Sequence, residues 1–251
     1  MNNNKFIKNK KQVLREFNKE KYFNIYNFFK KKKSVSIKDV DKFFCKNKIE
    51  YDRLEKEKKI MINYISKFAK KTKDIVDLGC GYGSKSFGLI SKKKLSKKNY
   101  FLLDISSNGI NIIKLLIKCM KKDLPRIRYN ISDFYNHKKV GIKIPKNSLI
   151  FTSYSLHYKR KLNDNFLKLM IKLKPKFVIH FEPVFEHILE KTKNNGKIKK
   201  YFLKNNYSLN LLSILKRYEK LKKIKIIFEK KQVFGVNKLL PFSVIIWKRI
   251  N

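Results

Sequence analysis

A short segment with three glycines places the strongest constraint on the fold of this chain. It runs from Asp74 to Ser84 and reads D-I-V-D-L-G-C-G-Y-G-S. The apolar first half predicts a strand, and glycines spaced by single residues let the following backbone turn sharply and approach a ligand closely. The segment therefore predicts a strand, a tight loop and a helix that together bind a nucleoside-like cofactor.

The order of the glycines separates two classes of cofactor. A dinucleotide fingerprint, G-x-G-x-x-G, would place its last glycine at Ser84. The glycines instead stand at Gly79, Gly81 and Gly83, which disfavours NAD. This order resembles the first motif of the class I S-adenosylmethionine-dependent methyltransferases, D/E-x-G-x-G-x-G, with Asp77 at its acidic position.

Two further segments end in an acidic residue, as that resemblance implies. The first ends in Asp104 and Ile105, about 20 residues after the glycines, where the family binds the ribose. The second ends in Asp133 and Phe134, where the family binds the adenine. The resemblance thus implies S-adenosylmethionine as the cofactor, with a binding set of Asp77, Gly79, Gly81, Gly83, Asp104, Ile105, Asp133, Phe134 and Ser153. For any one of these positions, a tight turn or a helix cap is an equally good explanation.

The alternation of apolar strand segments with helical segments predicts an α/β fold. It extends from Asp74 to Pro183 and is typical of a doubly wound parallel sheet with right-handed crossovers. Two closing strand segments, 224–228 and 242–247, predict an antiparallel hairpin, which would complete a mostly parallel, seven-stranded sheet. We expect residues 1–70 to form a helical cap and residues 71–251 to form the Rossmann-like methyltransferase domain that the resemblance implies.

Two polar residues at predicted strand ends are candidate catalytic groups. His157 follows the fourth strand, which in the family faces the methyl acceptor, and a histidine can act as a general base near neutral pH. Glu182, at the end of the fifth strand, is the second candidate. Alternatively, His157 packs the loop at the start of the next helix and Glu182 is a solvated carboxylate. The histidines and cysteines match no known metal-ligand spacing, so no metal is predicted.

The net charge of +44 has two explanations. Clustered basic residues can bind a polyanion such as RNA. However, the clusters are spread along the chain, and only seven of the 63 basic residues are Arg, which is the better residue for bidentate contacts to phosphates and bases. The abundance of Lys, Asn and Ile is typical of an AT-rich genome, in which lysines fill ordinary solvated positions. We therefore expect genome composition to explain most of the charge.

These features predict a cytoplasmic S-adenosylmethionine-dependent methyltransferase that modifies an oxygen or nitrogen atom of a small molecule. The Asn/Asp-Pro-Pro-aromatic motif typical of base-amino methylation is missing after the fourth strand, and so is the nucleophilic cysteine of cytosine C5 methylation. An RNA methyltransferase is the first alternative, and a catalytically silent binding protein with the same fold is the second. No apolar stretch is long enough to predict a membrane span, and the sequence leaves the oligomeric state open.

Overall fold

A computed structural model describes residues 22–120, 124–133, 141–191, 195–235 and 239–250. The chain divides into two compact units, residues 1–132 and 133–251. The described elements of the first unit are α1 (Tyr22–Phe29), α2 (Ile37–Phe44), α3 (Lys48–Ala69), β1 (Asp74–Leu78), α4 (Ser84–Ile90), β2 (Asn99–Asp104), α5 (Ser107–Cys119) and β3 (Ile127–Ile131). Those of the second unit are β4 (Leu149–Ser153), a 3-10 turn (Leu156–Tyr158), α6 (Asp164–Lys172), β5 (Phe177–Glu182), α7 (Phe185–Lys191), α8 (Asn195–Lys204), α9 (Leu211–Lys220), β6 (Ile224–Phe234) and β7 (Phe242–Arg249).

The strands form a seven-stranded sheet in the order β3-β2-β1-β4-β5-β7-β6. Strands β1, β2 and β3 pair in parallel, as do β4 and β5, whereas β7 pairs antiparallel with both β5 and β6. The predicted α/β fold with a mostly parallel sheet and a closing hairpin is therefore confirmed. Strand β6 is longer than predicted and reaches Phe234, because it pairs with β7 through two register shifts.

Two of the three N-terminal helices begin at a side-chain cap, and all three pack on other helices of the unit. Ser36 caps α2 in a reciprocal capping box with Asp39, and the Asn47 side chain caps α3. Helix α1 packs on α5, while α2 and α3 pack on α4. The packing of α3 on α4 is close, because a Cβ added at Gly88 would lie 2.7 Å from the Cδ1 atom of Ile62. Among the described residues, no helix has both the length and the apolar character needed to cross a membrane.

A buried hydrogen bond fastens the end of β1 to helix α4. The Ser86 hydroxyl donates to the Asp77 carboxylate over 2.7 Å, and both side chains are buried. Burial raises the pKa of Asp77 to about 7, although the bond from Ser86 opposes the shift. The carboxyl group is thus held where its charged form is unfavourable.

A buried hydrogen-bond chain links three strands of the second unit. The indole N–H of Trp247 donates to Nε2 of His180 over 2.9 Å, and Nδ1 of His180 lies 2.9 Å from the Thr152 hydroxyl. Burial lowers the pKa of His180 to about 4, so the ring is neutral at pH 7. Since Nε2 accepts, Nδ1 carries the proton and donates to Thr152. All three side chains are fully buried, so each polar atom depends on its partner.

Replacing Trp247 by Phe should destabilise the protein by about 2–3 kcal/mol. The variant leaves Nε2 of His180 buried without a donor and also removes packing volume. Urea unfolding followed by circular dichroism measures the change. Lys248→Met, at the exposed next position, is the matched control and should change stability by less than about 0.5 kcal/mol. Equal stabilities of Trp247→Phe and the control would contradict the assigned bond.

Replacing Asp77 by Asn should stabilise the protein in a pH-dependent way. The raised pKa means that the stability contributed by Asp77 is complete below the unfolded-state pKa of about 3.8 and is lost as the pH rises through about 7. Asparagine does not titrate, so the melting temperature of the variant should exceed that of the wild type by more at pH 8 than at pH 5. Thermal unfolding at pH 5 and pH 8 measures the two melting temperatures. An equal difference between variant and wild type at both pH values would contradict a buried Asp77 carboxyl with a raised pKa.

Candidate functional site

The loop between β1 and α4, residues 79–83, has a left-handed backbone at each of its glycines. The φ angles are 79° at Gly79, 58° at Gly81 and 82° at Gly83, and side chains other than glycine are strained there. The N–H groups of Gly79 and Cys80 both donate to the carbonyl of Leu103 in β2, at 2.7 and 3.1 Å. This segment, called the glycine loop below, is therefore fixed to the neighbouring strand near that strand's carboxyl end.

The glycine loop is also enclosed by its own unit. A Cβ at Gly81 would lie 2.6 Å from the Tyr22 hydroxyl, and a Cβ at Gly109 in α5 would lie 2.6 Å from the Gly81 carbonyl. Close approach at Gly81 is thus needed by the protein's own packing, from α1 on one side and α5 on another. Cys80 is buried, and burial raises the pKa of its thiol well above the ordinary value, so it is a poor nucleophile.

The carboxylate of Asp104 holds the glycine loop from the end of β2. One oxygen accepts from the Gly81 N–H and the other from the Ser106 N–H, each over 2.7 Å. Burial raises the pKa of Asp104, and the N–H donors oppose this shift. The Ile105 N–H is a third donor, and because the two carboxylate oxygens have four lone pairs, Asp104 retains acceptor capacity for one further donor. Ile105, next in the chain, is half-buried.

A further carboxylate at the glycine loop was missed by the sequence predictions. Asp41 of α2 is fully buried and accepts from the hydroxyls of Tyr82 and Ser84. Its second oxygen accepts from the Lys58 ammonium of α3. The available signal was weak: Asp41 sits beside Val40 on the apolar side of a short amphipathic helix, where a charged residue is uncommon.

The predicted residues of the second unit near the strand ends are Asp133 and Ser153. Ser153 ends β4 and is buried, whereas Asp133 is half-buried. The charge of Asp133 acts on Lys159, whose pKa is lowered by burial and partly restored by Asp133. Phe134, the predicted partner of Asp133, lies outside the described residues.

The two predicted catalytic residues lie together in the second unit. Nδ1 of His157 is 3.6 Å from Oε2 of Glu182, and both side chains are buried. The other oxygen of Glu182, Oε1, accepts from the N–H and the hydroxyl of Ser155, at 3.0 and 3.2 Å. Glu182 is therefore an anchored carboxylate beside an imidazole ring, and the alternative of a solvated side chain at a loop start is excluded by its burial.

The surroundings of Glu182 favour its charged form. Burial alone would raise its pKa, but the His157 ring and the N–H groups of Ser155 and Leu156 outweigh burial and hold the pKa below its ordinary value. Within the described part of the chain, neither Oε2 of Glu182 nor Nδ1 of His157 has a hydrogen-bond partner. Their 3.6 Å separation exceeds a direct hydrogen bond, so a small shift of the ring would create one.

Aromatic rings surround His157. The ring centroid of Tyr158 lies 4.0 Å from that of His157, the centroid of Tyr207 lies 4.8 Å away, and that of Tyr154 lies 5.9 Å away. Tyr154 has a left-handed backbone with a φ of 50°, an uncommon conformation for a bulky residue. The His157 carbonyl accepts from the Ser208 N–H over 2.7 Å. The imidazole is thus held in an aromatic environment, and its alternative role in packing the loop is compatible with these contacts.

The two other histidines among the described residues, His180 and His187, have structural partners. His187 of α7 lies 2.8 Å from the Ser243 hydroxyl through Nδ1 and 2.9 Å from Glu229 through Nε2. His180 belongs to the chain with Thr152 and Trp247. In the ranges that the structure describes, no three His, Cys, Asp or Glu residues are grouped so that they could hold a metal ion.

Comparison with known proteins finds similarity at the level of structure alone. No protein-family model matches the sequence, and no curated protein matches it. Among solved structures, a magnesium protoporphyrin IX methyltransferase from Synechocystis PCC 6803 with bound SAH is 12% identical with a TM-score of 0.57, over 96% of this chain and 99% of that one. An O-methyltransferase family protein from Burkholderia thailandensis is 10% identical with a TM-score of 0.56, over 96% of this chain and 70% of that one.

An RNA-modifying protein has a similar structure as well. The 16S rRNA methylase ArmA is 15% identical with a TM-score of 0.51, over 91% of this chain and 98% of that one. Identities this low support a shared fold only and do not identify the methyl acceptor. Together with the strand order and the closing hairpin, these likenesses show that the chain has the fold of the class I S-adenosylmethionine-dependent methyltransferases.

Proposed function

We propose that this protein is an S-adenosylmethionine-dependent methyltransferase that acts on an oxygen or nitrogen atom of a small-molecule acceptor. The observation that carries the proposal is the buried Asp104 carboxylate at the end of β2, hydrogen-bonded to the left-handed glycine loop. Ligands of open α/β sheets bind beyond the carboxyl ends of the strands, where this carboxylate lies. A structural relative, the magnesium protoporphyrin IX methyltransferase, was crystallised with bound SAH and with bound SAM.

The residues of the glycine loop and of β2 fit such a cofactor. Asp104 accepts from the N–H groups of Gly81, Ser106 and Ile105, and its remaining lone pair can accept from a hydroxyl group of a ribose. Asp77, Gly79, Gly81 and Gly83 would shape the loop beneath the methionine part of the cofactor. The other proposed cofactor contacts are those of Ile105, Asp133, Phe134 and Ser153. The bound cofactor supplies a methyl group activated by its positive sulfonium.

His157 and Glu182 would supply the proton chemistry for the acceptor. With Nδ1 protonated and directed at Glu182, Nε2 of His157 is the basic nitrogen and can take the proton of an acceptor hydroxyl or amine. The anionic Glu182, held by the N–H of Ser155, would stabilise the imidazolium that forms. Tyr158 and Tyr207 limit the mobility of the imidazole through ring contacts.

RNA is the second candidate acceptor, and the net charge of +44 favours it. Electrostatic attraction to phosphates would make such binding strongly dependent on salt. A small molecule remains the first candidate, because the charge is dominated by lysines spread along the chain.

The cofactor assignment predicts that isothermal titration will detect binding of both SAM and SAH. Asp104→Asn should weaken SAH binding by about tenfold or more, since it removes a charged acceptor worth about 1.5–3 kcal/mol. Asp74→Asn is the matched control, because Asp74 begins β1 and bonds to Asn99 instead of to the glycine loop. Lack of binding at millimolar ligand, or equal affinity in Asp104→Asn and wild type, would overturn the assignment.

The catalytic assignment predicts loss of turnover without loss of cofactor affinity. His157→Gln and Glu182→Gln should each reduce methyl transfer by about 100-fold or more while the Kd for SAH stays within a factor of about two. Transfer from labelled SAM to a pool of small metabolites, with total RNA as a separate pool, measures the rate. His187→Gln, in a buried histidine of α7, is the control. Normal turnover in both variants would exclude the pair, and label found only in RNA would favour the second acceptor.

A further inference from the structure

The N-terminal helices bury a carboxylate against the glycine loop. Asp41 of α2 has no exposed surface. Its Oδ2 accepts from the Lys58 ammonium over 2.6 Å, and its Oδ1 accepts from the Tyr82 hydroxyl over 2.9 Å and from the Ser84 hydroxyl over 2.7 Å. A buried carboxylate requires partners of this kind, because an unpaired charge away from water is very costly. Asp41 thus has three donors from two separate parts of the chain.

Two of the three donors flank Gly83. Tyr82 precedes it, Ser84 follows it, and both hydroxyls bind the same oxygen of Asp41. Gly83 has a left-handed backbone and begins α4 without a side-chain cap. Glycine visits many backbone conformations at little cost, so nothing intrinsic to Gly83 holds this one. The shared acceptor oxygen fixes the chain on both sides of the most permissive residue in the loop.

The groups that donate to Asp41 keep their protons. Although burial alone would lower the pKa of Lys58, the Asp41 and Glu55 carboxylates raise it above its ordinary value, so Lys58 remains an ammonium. Burial and the charge of Asp41 raise the pKa of Tyr82 well above its ordinary value, so its hydroxyl keeps the proton that it donates. The donor pattern is therefore constant across the physiological pH range.

The same helices contact the loop through aromatic rings. The ring of Tyr82 lies edge-on to that of Tyr22, with centroids 5.7 Å apart, and lies 5.2 Å from that of Phe44. The Tyr22 hydroxyl also occupies the space beside Gly81. Contacts from α1 and α2 thus reach both ends of the segment from Gly81 to Ser84.

Stability alone does not explain a buried ion pair at this place. Replacing such a pair by apolar side chains of similar volume is often neutral or stabilising. An apolar pair could join α2 to α3 equally well, but it could not accept hydroxyl bonds from Tyr82 and Ser84. What the carboxylate adds is therefore control of the loop conformation.

We infer that Asp41 is a positioning residue for the cofactor, which holds the glycine loop in its binding conformation and makes cofactor affinity depend on the N-terminal helices. The inference rests on the proposed function. Asp41 acts through Tyr82 and Ser84, and Lys58 acts by neutralising its charge. Residues far from the loop in sequence thereby determine how well the loop is prepared for a ligand.

Two variants of the full-length chain test this inference. Asp41→Leu combined with Lys58→Met removes both members of the ion pair, so neither is left buried with an unpaired charge. Tyr82→Phe combined with Ser84→Ala removes the two hydroxyls that donate to Asp41 and leaves the ion pair between Asp41 and Lys58 intact. Each should raise the Kd for SAH by about tenfold, the equivalent of about 1.4 kcal/mol. Each should also speed hydrogen exchange of the amides from Gly79 to Ser84, with or without SAH. Glu55→Gln, which removes the more exposed partner of Lys58, is the matched control and should change neither quantity.

The outcomes separate this inference from the proposed function. Wild-type affinity and wild-type loop exchange in both folded variants would overturn the positioning role. Failure of the wild type to bind SAH would overturn the proposed function, while the exchange of the loop amides would still report whether Asp41 holds the loop. If the variant that lacks the ion pair does not fold, the variant that lacks the two hydroxyls tests the positioning role by itself. It leaves the ion pair between α2 and α3 in place.

Discussion

The hydrogen bond from the Gly81 N–H to the Asp104 carboxylate is the interaction on which the first unit's candidate site depends. It joins a loop with three left-handed glycines to the end of β2, and the Leu103 carbonyl reinforces the junction through Gly79 and Cys80. The carboxylate is buried, so it must be satisfied by donors, and the loop supplies one of them. The loop conformation and the position of the acidic group therefore determine each other.

The second unit also contains a buried carboxylate that backbone N–H groups stabilise. Glu182 is buried at the end of β5 and is stabilised in its charged form by backbone donors of Ser155 and Leu156 and by the His157 ring. His180, only two residues earlier in the same strand, is instead neutral and bonded to Thr152 and Trp247. Residues two apart in a strand point to the same face, so His180 and Glu182 differ in their partners and not in the face they occupy. His180 belongs to a structural network, whereas Oε2 of Glu182 has no hydrogen-bond partner among the described residues.

Much of the fold was predictable, because its signals are local in sequence. Short apolar runs that end in Asp77 and Asp104 marked parallel strands, and the two final strand segments marked the hairpin. His157 and Glu182 were each predicted as candidates near the ends of two strands, but their proximity to one another was not predicted. The anchoring of Glu182 by Ser155 was not predictable, since any residue except proline offers a backbone N–H. The Asp41 network was also missed, because its partners are 17, 41 and 43 residues away and no periodic pattern links them.

Hydrogen exchange of the wild-type protein with and without SAH tests the central claim most directly. If the glycine loop and the end of β2 bind the cofactor, SAH should slow exchange at the amides of Gly79, Gly81 and Ile105 more than at those of the β6–β7 hairpin. Binding that protects a different part of the chain and leaves these amides unchanged would contradict the assignment of the cofactor site.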